Sequence, residues 1–316
     1  MSTPLIQTVD LTKYFQTSHG LLHAVDKINI SIEKGETLGV VGESGCGKST
    51  LGRTILRLLE PTSGEILYNG ENIVKYKKKQ MHEIRSRMQI IFQDPFTSLN
   101  PRMTVSQLIA EPMIVAGLYN NAKERQERVE SLMETVGLAP RFINTFPHEM
   151  DGGRRQRVGI ARALAIDPEF IVCDEPVSAL DVSIQAQILN LMMDLQEDMG
   201  LTYMFVTHNL SVIKHISQRI AVMYLGQCVE TCETDELFTH PMHPYTQALL
   251  AAIPKPSIRN QQELVTLKGE VTSPINSKPG CRFADRCPMA SDKCRAEEIK
   301  LRDISGNGHF VACSLY

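Results

Sequence analysis

The chain has 316 residues and a formal net charge of −3, and its composition is that of a globular protein. This length allows a sizeable core and suggests one large domain with a smaller one. The near-neutral charge argues against a basic nucleic-acid-binding protein, and no run of about 18 apolar residues predicts a membrane-spanning helix. Because the first residues lack a basic segment followed by an apolar core, we expect a cytoplasmic protein.

Apolar stretches near the start predict β-strands at residues 5–9, 24–32 and 37–41. The aromatic pair Tyr14 and Phe15 lies between the first two of these strands. Either ring could stack on an adenine, because a purine needs a flat apolar face. An ordinary surface or core role for the pair is an equally simple interpretation.

A glycine-rich segment, GESGCGKST, follows the third predicted strand and leads into a helical pattern over residues 51–59. This order of strand, loop and helix turns backbone N–H groups onto phosphate oxygens, and the helix N-terminus adds partial positive charge. Lys48 would reach the β- and γ-phosphates, and the Ser49 hydroxyl would ligate Mg²⁺. A glycine turn that matches by chance is the alternative. The residues predicted to surround the phosphates are Gly42, Glu43, Ser44, Gly45, Cys46, Gly47, Lys48, Ser49 and Thr50.

The middle of the chain predicts a further strand at residues 64–68 and a solvated, lysine-rich helix face at residues 75–79. An apolar strand from Met88 then ends at Gln93, whose amide oxygen could bind Mg²⁺ or an attacking water. In isolation Gln93 would be an ordinary loop residue. Apolar residues at helical spacing between residues 123 and 136 predict an amphipathic helix, which we assign to an inserted helical subdomain.

Two carboxylates, Asp174 and Glu175, follow four consecutive apolar residues, at the strand end where open α/β sheets bind ligands. Asp174 would hold Mg²⁺ through a water molecule bound to the ion. Glu175 would polarise the water that attacks the γ-phosphate. Earlier in the chain, Gly152 and Gly153 open a predicted helix and offer N–H groups to an anion. A helix over residues 182–199 and a strand over residues 202–206 precede His208. This histidine could contact the γ-phosphate, although alone such a residue is more often structural.

The ordered set of motifs from Phe15 to His208 resembles the nucleotide-binding subunit of an ATP-binding-cassette (ABC) transporter. The segments VGESGCGKSTLGR, FQDPFTSLNPR, HPYTQALL and the final cysteines are similar to the ATPases of dipeptide and oligopeptide importers. The resemblance implies an α/β fold over residues 1–250: a P-loop core, an antiparallel β subdomain and an inserted helical subdomain. A linker and small cysteine-cluster region would occupy residues 251–316. It also implies that Phe15 is the aromatic that stacks on adenine, and that Asp181, at the end of SALD, joins the ATP site.

The implied function is ATP hydrolysis that energises peptide import, on the cytoplasmic face of the cell membrane. The implied partners are a second ATPase subunit, two transmembrane permease subunits and an extracytoplasmic solute-binding protein, with no nucleic acid. The segment near Phe96 would contact a coupling helix of the permease. Nickel and glutathione importers belong to the same group, and a soluble ABC ATPase of repair or translation is a further alternative. A regulatory subunit that binds ATP without hydrolysing it is disfavoured, since Glu175 and His208 are both present.

The signature segment departs from the family's usual LSGGQ, because it has the sequence MDGGR at residues 150–154. Asp151 replaces a serine that would donate a hydrogen bond to the γ-phosphate held by the partner subunit, and an ionised carboxylate cannot donate. The negative charge that Asp151 adds would repel the γ-phosphate, by about 1 kcal/mol at 4 Å in water and by about 4 kcal/mol at an effective dielectric constant of 20. We therefore predict a heterodimer with one degenerate site. The benign alternative is that Asp151 is a good helix N-cap.

Four cysteines lie near the C-terminal end, after a proline-containing linker: Cys281, Cys287, Cys294 and Cys313. In a cytoplasmic protein this grouping favours a metal over disulfides. Zinc would take four thiolates, whereas the family resemblance implies a [4Fe-4S] cluster. Because these cysteines are distant in sequence from the catalytic motifs, we expect the cluster to act in assembly or stability.

Overall fold

The computed structural model describes residues 3–253, 273–277, 279–304 and 306–316, so most of the predicted linker lies outside the described residues. The strands are β1 (Ile6–Thr17), β2 (Gly20–Ile28), β3 (Ser31–Ile32), β4 (Thr37–Val41), β5 (Ser63–Tyr68), β6 (Glu71–Asn72), β7 (Met88–Ile91), β8 (Phe170–Asp174), β9 (Thr202–Val206), β10 (Arg219–Tyr224), β11 (Gln227–Glu233), β12 (Arg302–Asp303) and β13 (Phe310–Val311).

The helices are α1 (Lys48–Ile55), α2 (Lys78–Arg87), α3 (Pro95–Ser98), α4 (Val105–Val115), α5 (Ala122–Thr135), α6 (Gly152–Leu164), α7 (Val182–Met199), α8 (Leu210–Ile216), α9 (Thr234–Thr239), α10 (Pro244–Ala251) and α11 (Lys293–Ala296). The chain divides into two compact units. The first contains the described residues of Met1–Glu33, Thr37–Val74 and Thr207–Tyr316, and the second those of Lys34–Glu36 and Lys75–Val206.

The first unit contains an antiparallel sheet with the strand order β2–β1–β5–β6, and β3 also pairs with β1. Strand β1 continues well past residue 9, where the predicted strand ended, so Tyr14 and Phe15 lie within a strand. They face His23 and Leu22 of β2. The antiparallel β subdomain therefore positions both candidate adenine-stacking rings on its first strand.

A second group of strands in the first unit has the order β12–β13–β11–β10–β4. Among these pairs, β10 and β4 run parallel, with Ile220 opposite Gly39, and the others are antiparallel. Every residue of β4 is buried, as expected for a parallel strand covered on both faces. The phosphate-loop segment therefore begins directly after a buried core strand.

In the second unit β7, β8 and β9 form parallel pairs, with Cys173 between Ile91 and Phe205. All residues of β8 and β9 are buried. Strand β7 ends at Ile91, two residues earlier than predicted, so Gln93 lies in the following loop. The predicted boundaries of β9 and α7 agree with the structure.

The helical part of the second unit is built on α4, which packs against α5 and α6. Helix α5 buries Val129, Leu132 and Met133, which confirms the predicted amphipathic pattern. Within the lysine-rich stretch, the α-helix begins at Lys78. Among the described residues, no helix has the length and apolar character needed to span a bilayer.

Candidate active site

The phosphate-loop segment connects β4 to α1 in the first unit. Gly47 occupies the N-cap of α1 with a φ of 104°, and a Cβ built there would lie 1.9 Å from the Ala24 carbonyl oxygen. The turn therefore requires glycine at this position. Lys48 is 4% exposed, and its ammonium donates hydrogen bonds to the carbonyls of Gly42 at 2.8 Å and Glu43 at 3.0 Å. The lysine is thus held against the loop that it would assist in binding phosphate.

The other loop residues differ in exposure. Ser44 and Gly45 are exposed, whereas Ser49 and Thr50 are half-buried in the first turn of α1. Cys46 is buried, and burial raises the pKa of its thiol. The thiol therefore stays neutral and adds no charge to the loop.

Glu43 is fixed from two sides by residues near the C-terminal end. Its backbone N–H donates a hydrogen bond to the Tyr245 hydroxyl at 2.9 Å. Its carboxylate pairs with the Arg286 guanidinium, with an Nη1–Oε2 distance of 2.9 Å. Neither Tyr245 nor Arg286 has a local sequence signal for this contact, although they lie in HPYTQALL and in the cysteine-rich stretch, respectively.

The two aromatic candidates have different surroundings. The Tyr14 hydroxyl donates to Asp26 at 2.6 Å, its ring centroid lies 4.0 Å from that of His23, and Arg282 binds the same Asp26. Burial and the bond to Asp26 raise the pKa of Tyr14. Phe15 is half-buried, and the Lys13 ammonium lies 4.9 Å from its ring centroid. Because Tyr14 is engaged in a polar network, Phe15 is the better candidate for base stacking.

The two candidate carboxylates, Asp174 and Glu175, lie at the end of β8 in the second unit. Asp174 is fully buried, and Glu175 follows with a φ of 48°, a conformation that L-residues rarely adopt. The Glu175 N–H donates to the Val206 carbonyl at 2.9 Å, and the Glu175 carbonyl accepts two hydrogen bonds from Ser178. The Gln93 amide nitrogen donates to Glu175 Oε2 at 3.0 Å. The structure thus brings together two of the predicted catalytic side chains.

The remaining ATP-site candidates lie at helix boundaries. His208, in the first unit, is exposed between Val206, the last residue of β9, and α8. Asn209 caps α8 by accepting hydrogen bonds from two backbone N–H groups. Asp181, in the second unit, is exposed at the N-cap of α7, and its carbonyl accepts the Gln185 N–H at 2.8 Å.

Asp151 is the N-cap of α6, as the benign interpretation required. Its carboxylate accepts the Arg154 N–H at 2.8 Å and also pairs with the Arg154 guanidinium at 3.2 Å. A serine can satisfy the same N–H, so the substitution preserves the start of the helix. Gly153 is buried, and a Cβ there would lie 2.7 Å from the side chain of Ile184. The signature backbone is therefore intact despite the altered side chains.

The four candidate cysteines of the C-terminal segment line one small cavity, together with apolar side chains that include Phe283 and Leu315. Within the described parts of the chain, no group of three or more His, Cys, Asp or Glu residues is arranged to hold a metal ion. The thiols therefore converge on a common cavity without forming a site for a single ion. Thiolate donors of this kind suit either zinc or an iron–sulfur cluster.

The thiols differ in acidity. Burial raises the pKa of Cys281 to about 11, and burial also raises the pKa values of Cys287 and Cys313. For Cys294, burial acts in the same direction, but hydrogen bonds from Ser291 and Ser314 outweigh it and lower the pKa. Cys294 is thus the most readily ionised of the four thiols.

Comparison with known protein families gives two matches along the chain. The model of the ABC transporter family matches residues 25–178. The model of the oligopeptide/dipeptide transporter C-terminal region matches residues 229–294. The second match includes three of the four cysteines, so both the ATPase motifs and the C-terminal segment have counterparts in known proteins.

Several curated proteins are similar over nearly their entire length. A putative oligopeptide transport ATP-binding protein of Bacillus subtilis, YkfD, is 50% identical over 99% of this chain and 96% of its own. The dipeptide transport ATP-binding protein DppF of Haemophilus influenzae is 46% identical over 99% of this chain and 97% of its own. A dimeric ATP-binding cassette bound to ADP and Pi has a similar structure, with a TM-score of 0.67 and 30% identity, covering 72% of this chain and 98% of that one.

Proposed function

Because the chain belongs to the ATP-binding subunits of oligopeptide and dipeptide ABC transporters, we propose that it energises the import of short peptides. It is an ABC ATPase with the corresponding α/β fold. The proposal that the substrates are short peptides rests on the similarity to peptide-transport subunits over nearly the whole chain, including the C-terminal region.

We propose the following roles in ATP hydrolysis. The backbone of residues 42–50 and Lys48 bind the phosphates, while Phe15 stacks on the adenine. Ser49, Gln93 and Asp174 would hold Mg²⁺ or its waters, an oxygen-rich ligand set that suits this ion. The Lys48 contacts and the burial of Asp174 support these assignments.

Glu175 would accept a proton from the attacking water, Gln93 would orient this carboxylate, and His208 would contact the γ-phosphate. The 3.0 Å contact between Gln93 and Glu175 supports the first two roles. Asp181, at the N-cap of α7, would contact the same nucleotide site. Tyr14 would act indirectly, by holding β1 through Asp26.

We further propose that the working ATPase is a heterodimer. The segment that contains Asp151, Gly152 and Gly153 would face a nucleotide bound by the partner, where the carboxylate would repel the γ-phosphate. The Arg154 guanidinium pairs with Asp151 and partly neutralises it. The repulsion of the γ-phosphate would therefore be smaller than that from an isolated carboxylate. One site would hydrolyse ATP efficiently and the other would act mainly as a clamp.

The C-terminal cysteines are proposed to hold a [4Fe-4S] cluster through Cys281, Cys287, Cys294 and Cys313, with zinc as the alternative. Their shared cavity supports this proposal. When bound, the cluster would supply a cross-link between the segments that carry these four cysteines. The proposed linker and cysteine region begins at residue 251, which is the last residue of α10.

The proposed partners are a second ABC ATPase, two permease subunits and an extracytoplasmic solute-binding protein, with this chain peripheral on the cytoplasmic face of the membrane. Phe96, which is 60% exposed, would be part of the permease contact. Affinity purification from the native membrane tests the assembly, and uptake of labelled dipeptide tests the substrate. Recovery of permease subunits with peptide uptake is expected. Recovery of ribosomes or repair factors, or uptake of nickel or glutathione without peptide, would replace this proposal with one of its alternatives.

A further inference from the structure

An ion pair joins the cysteine-rich segment to the phosphate loop. Arg286 Nη1 lies 2.9 and 3.2 Å from the two carboxylate oxygens of Glu43, and Nη2 lies 3.2 Å from Oε1. The side chains are only 8% and 25% exposed, respectively. A two-pronged guanidinium contact that is shielded from solvent is stronger and more directional than an exposed pair.

Glu43 connects this ion pair to the phosphate-binding lysine. The Glu43 carbonyl accepts hydrogen bonds from the Lys48 ammonium at 3.0 Å and from the Cys46 N–H at 3.2 Å. Its N–H is bound by the Tyr245 hydroxyl. A displacement of Glu43 would therefore move the backbone against which Lys48 is held.

Arg286 is itself rigidly placed by its segment. Its backbone N–H donates to the Phe283 carbonyl at 3.0 Å, and Nη1 also reaches the Tyr224 hydroxyl at 3.3 Å. Phe283 is 1% exposed and packs against the rings of Tyr224 and Tyr245. Arg286 directly precedes Cys287 in the sequence, so the position of this cysteine also determines where the guanidinium lies.

A second arginine of the same segment makes a parallel connection. Arg282, which directly follows Cys281, binds Asp26 and the Leu225 carbonyl. Asp26 also accepts the Tyr14 hydroxyl, one residue from Phe15. The segment thus reaches both the phosphate loop and the strand that carries the proposed base-stacking ring.

We propose that Arg286 is a positioning residue for ATP binding, and that through it the cysteine-rich segment acts as a latch on the phosphate loop. ATP brings several negative charges to a loop that already contains the Glu43 carboxylate. Arg286 neutralises that carboxylate and holds the loop backbone in the conformation that places Lys48. This inference rests on the proposed assignment of residues 42–50 as the phosphate loop.

The test is equilibrium binding of Mg²⁺-ATP to the purified full-length chain, measured by titration calorimetry. Arg286→Met should weaken binding about tenfold, because Glu43 is left uncompensated beside the phosphates. Arg286→Lys should weaken it about threefold, since an ammonium cannot make the two-pronged contact. Adding Glu43→Gln to Arg286→Met should restore most of the affinity. Arg295→Met is the matched control: Arg295 also adjoins a cysteine but pairs on the surface with Asp285, so binding should be unchanged.

Lys48→Ala separates the latch proposal from the phosphate-loop assignment. If Lys48→Ala abolishes binding while Arg286→Met and Arg286→Lys bind as the wild type does, the latch is wrong and the phosphate-loop assignment stands. If Lys48→Ala binds normally, the assignment itself fails. A loss in Arg286→Met that Glu43→Gln does not restore would show a role in folding only and would overturn the latch. Should Arg286→Met not fold, as judged by thermal unfolding, wild-type affinity in Arg286→Lys would overturn it instead.

Discussion

The side-chain nitrogen of Gln93 lies 3.0 Å from the Oε2 atom of Glu175 and ties the loop after β7 to the carboxylate that follows β8. Glu175 is held in a left-handed backbone conformation, which costs a non-glycine residue about 1–3 kcal/mol and persists only where neighbouring contacts enforce it. Val206 and Ser178 provide such contacts. A carboxylate fixed by its backbone and its side chain suits a general base, because its position relative to the attacking water is set in advance.

Replacing Gln93 with alanine should slow ATP hydrolysis about tenfold with little change in ATP affinity. The expected cause is loss of orientation at Glu175, since the general base itself remains. Hydrolysis and nucleotide binding by the assembled complex measure the two effects separately. Gln89→Ala is the control, because the Gln89 amide nitrogen donates to the nearby Arg85 and Met88 carbonyls. An unchanged rate in Gln93→Ala would remove this residue from the catalytic machinery.

Elements with strong local signals were predicted accurately from the sequence. Helix α7 begins after Asp181 and ends before Gly200, whose φ of 65° favours glycine. The predicted strand at residues 5–9 was too short, because β1 continues beyond Asp10. That residue has a φ of 44°, and the register between β1 and β2 shifts near Lys13. Such an irregular strand gives no clean alternation of apolar and polar residues.

Contacts between residues that are far apart in the sequence could not be predicted from the sequence. Glu43 and Arg286 are 243 positions apart, and no local pattern in the sequence links them. The expectation that the cluster acts in assembly or stability did not include this contact. The role of Asp151 was also open, because the sequence permits both an N-cap and a repulsive charge, and the structure shows that the N-cap is formed.

Asp151→Ser should maintain the stability of the chain and either raise ATP hydrolysis or leave it unchanged, since a hydroxyl can cap the helix and donate to a phosphate. Asp151→Ala should lower the free energy of unfolding by about 1 kcal/mol through loss of the cap. Thermal unfolding and steady-state hydrolysis of the assembled complex measure the two effects. A large loss of activity in Asp151→Ser would show that the carboxylate is a working part of a competent site.

Protein stability should depend on His243 between about pH 6.5 and pH 4. This histidine is 1% exposed, and burial lowers its pKa to about 4. Within that window the unfolded chain takes up a proton that the folded chain does not, so the free energy of unfolding falls as the pH falls. The total loss from this group is about 3 kcal/mol by pH 4.

The variant His243→Asn isolates this contribution. His243 Nδ1 accepts the Tyr245 N–H at 3.1 Å, and an asparagine oxygen can accept the same hydrogen bond without titrating. Denaturant unfolding at several pH values should therefore give a shallower pH dependence for the variant than for the wild type. Identical slopes would show that His243 takes up its proton at the same pH in the folded and unfolded chain.

The protein purified without oxygen should be brown and contain iron and sulfide, and Cys287→Ser should lose both. Absorption spectra and metal analysis make this measurement. Cys232→Ala is the control, because Cys232 is a buried residue of β11 that does not line the cysteine cavity. This variant should retain the iron. Zinc without iron in the wild-type protein would overturn the cluster assignment and leave a zinc site as the alternative.

The central claim is that this chain hydrolyses ATP to drive peptide import, with Glu175 as the general base. Its most direct test is peptide-stimulated ATP hydrolysis by the complex reconstituted in lipid vesicles, comparing the wild type with Glu175→Gln. Glu169→Gln is the control, because Glu169 pairs with Arg87 near the surface, just before β8. We predict normal rates in the control and a loss of at least about 100-fold in Glu175→Gln with ATP binding retained, because the amide cannot accept the proton. Peptide-stimulated hydrolysis at the wild-type rate in Glu175→Gln would contradict the account.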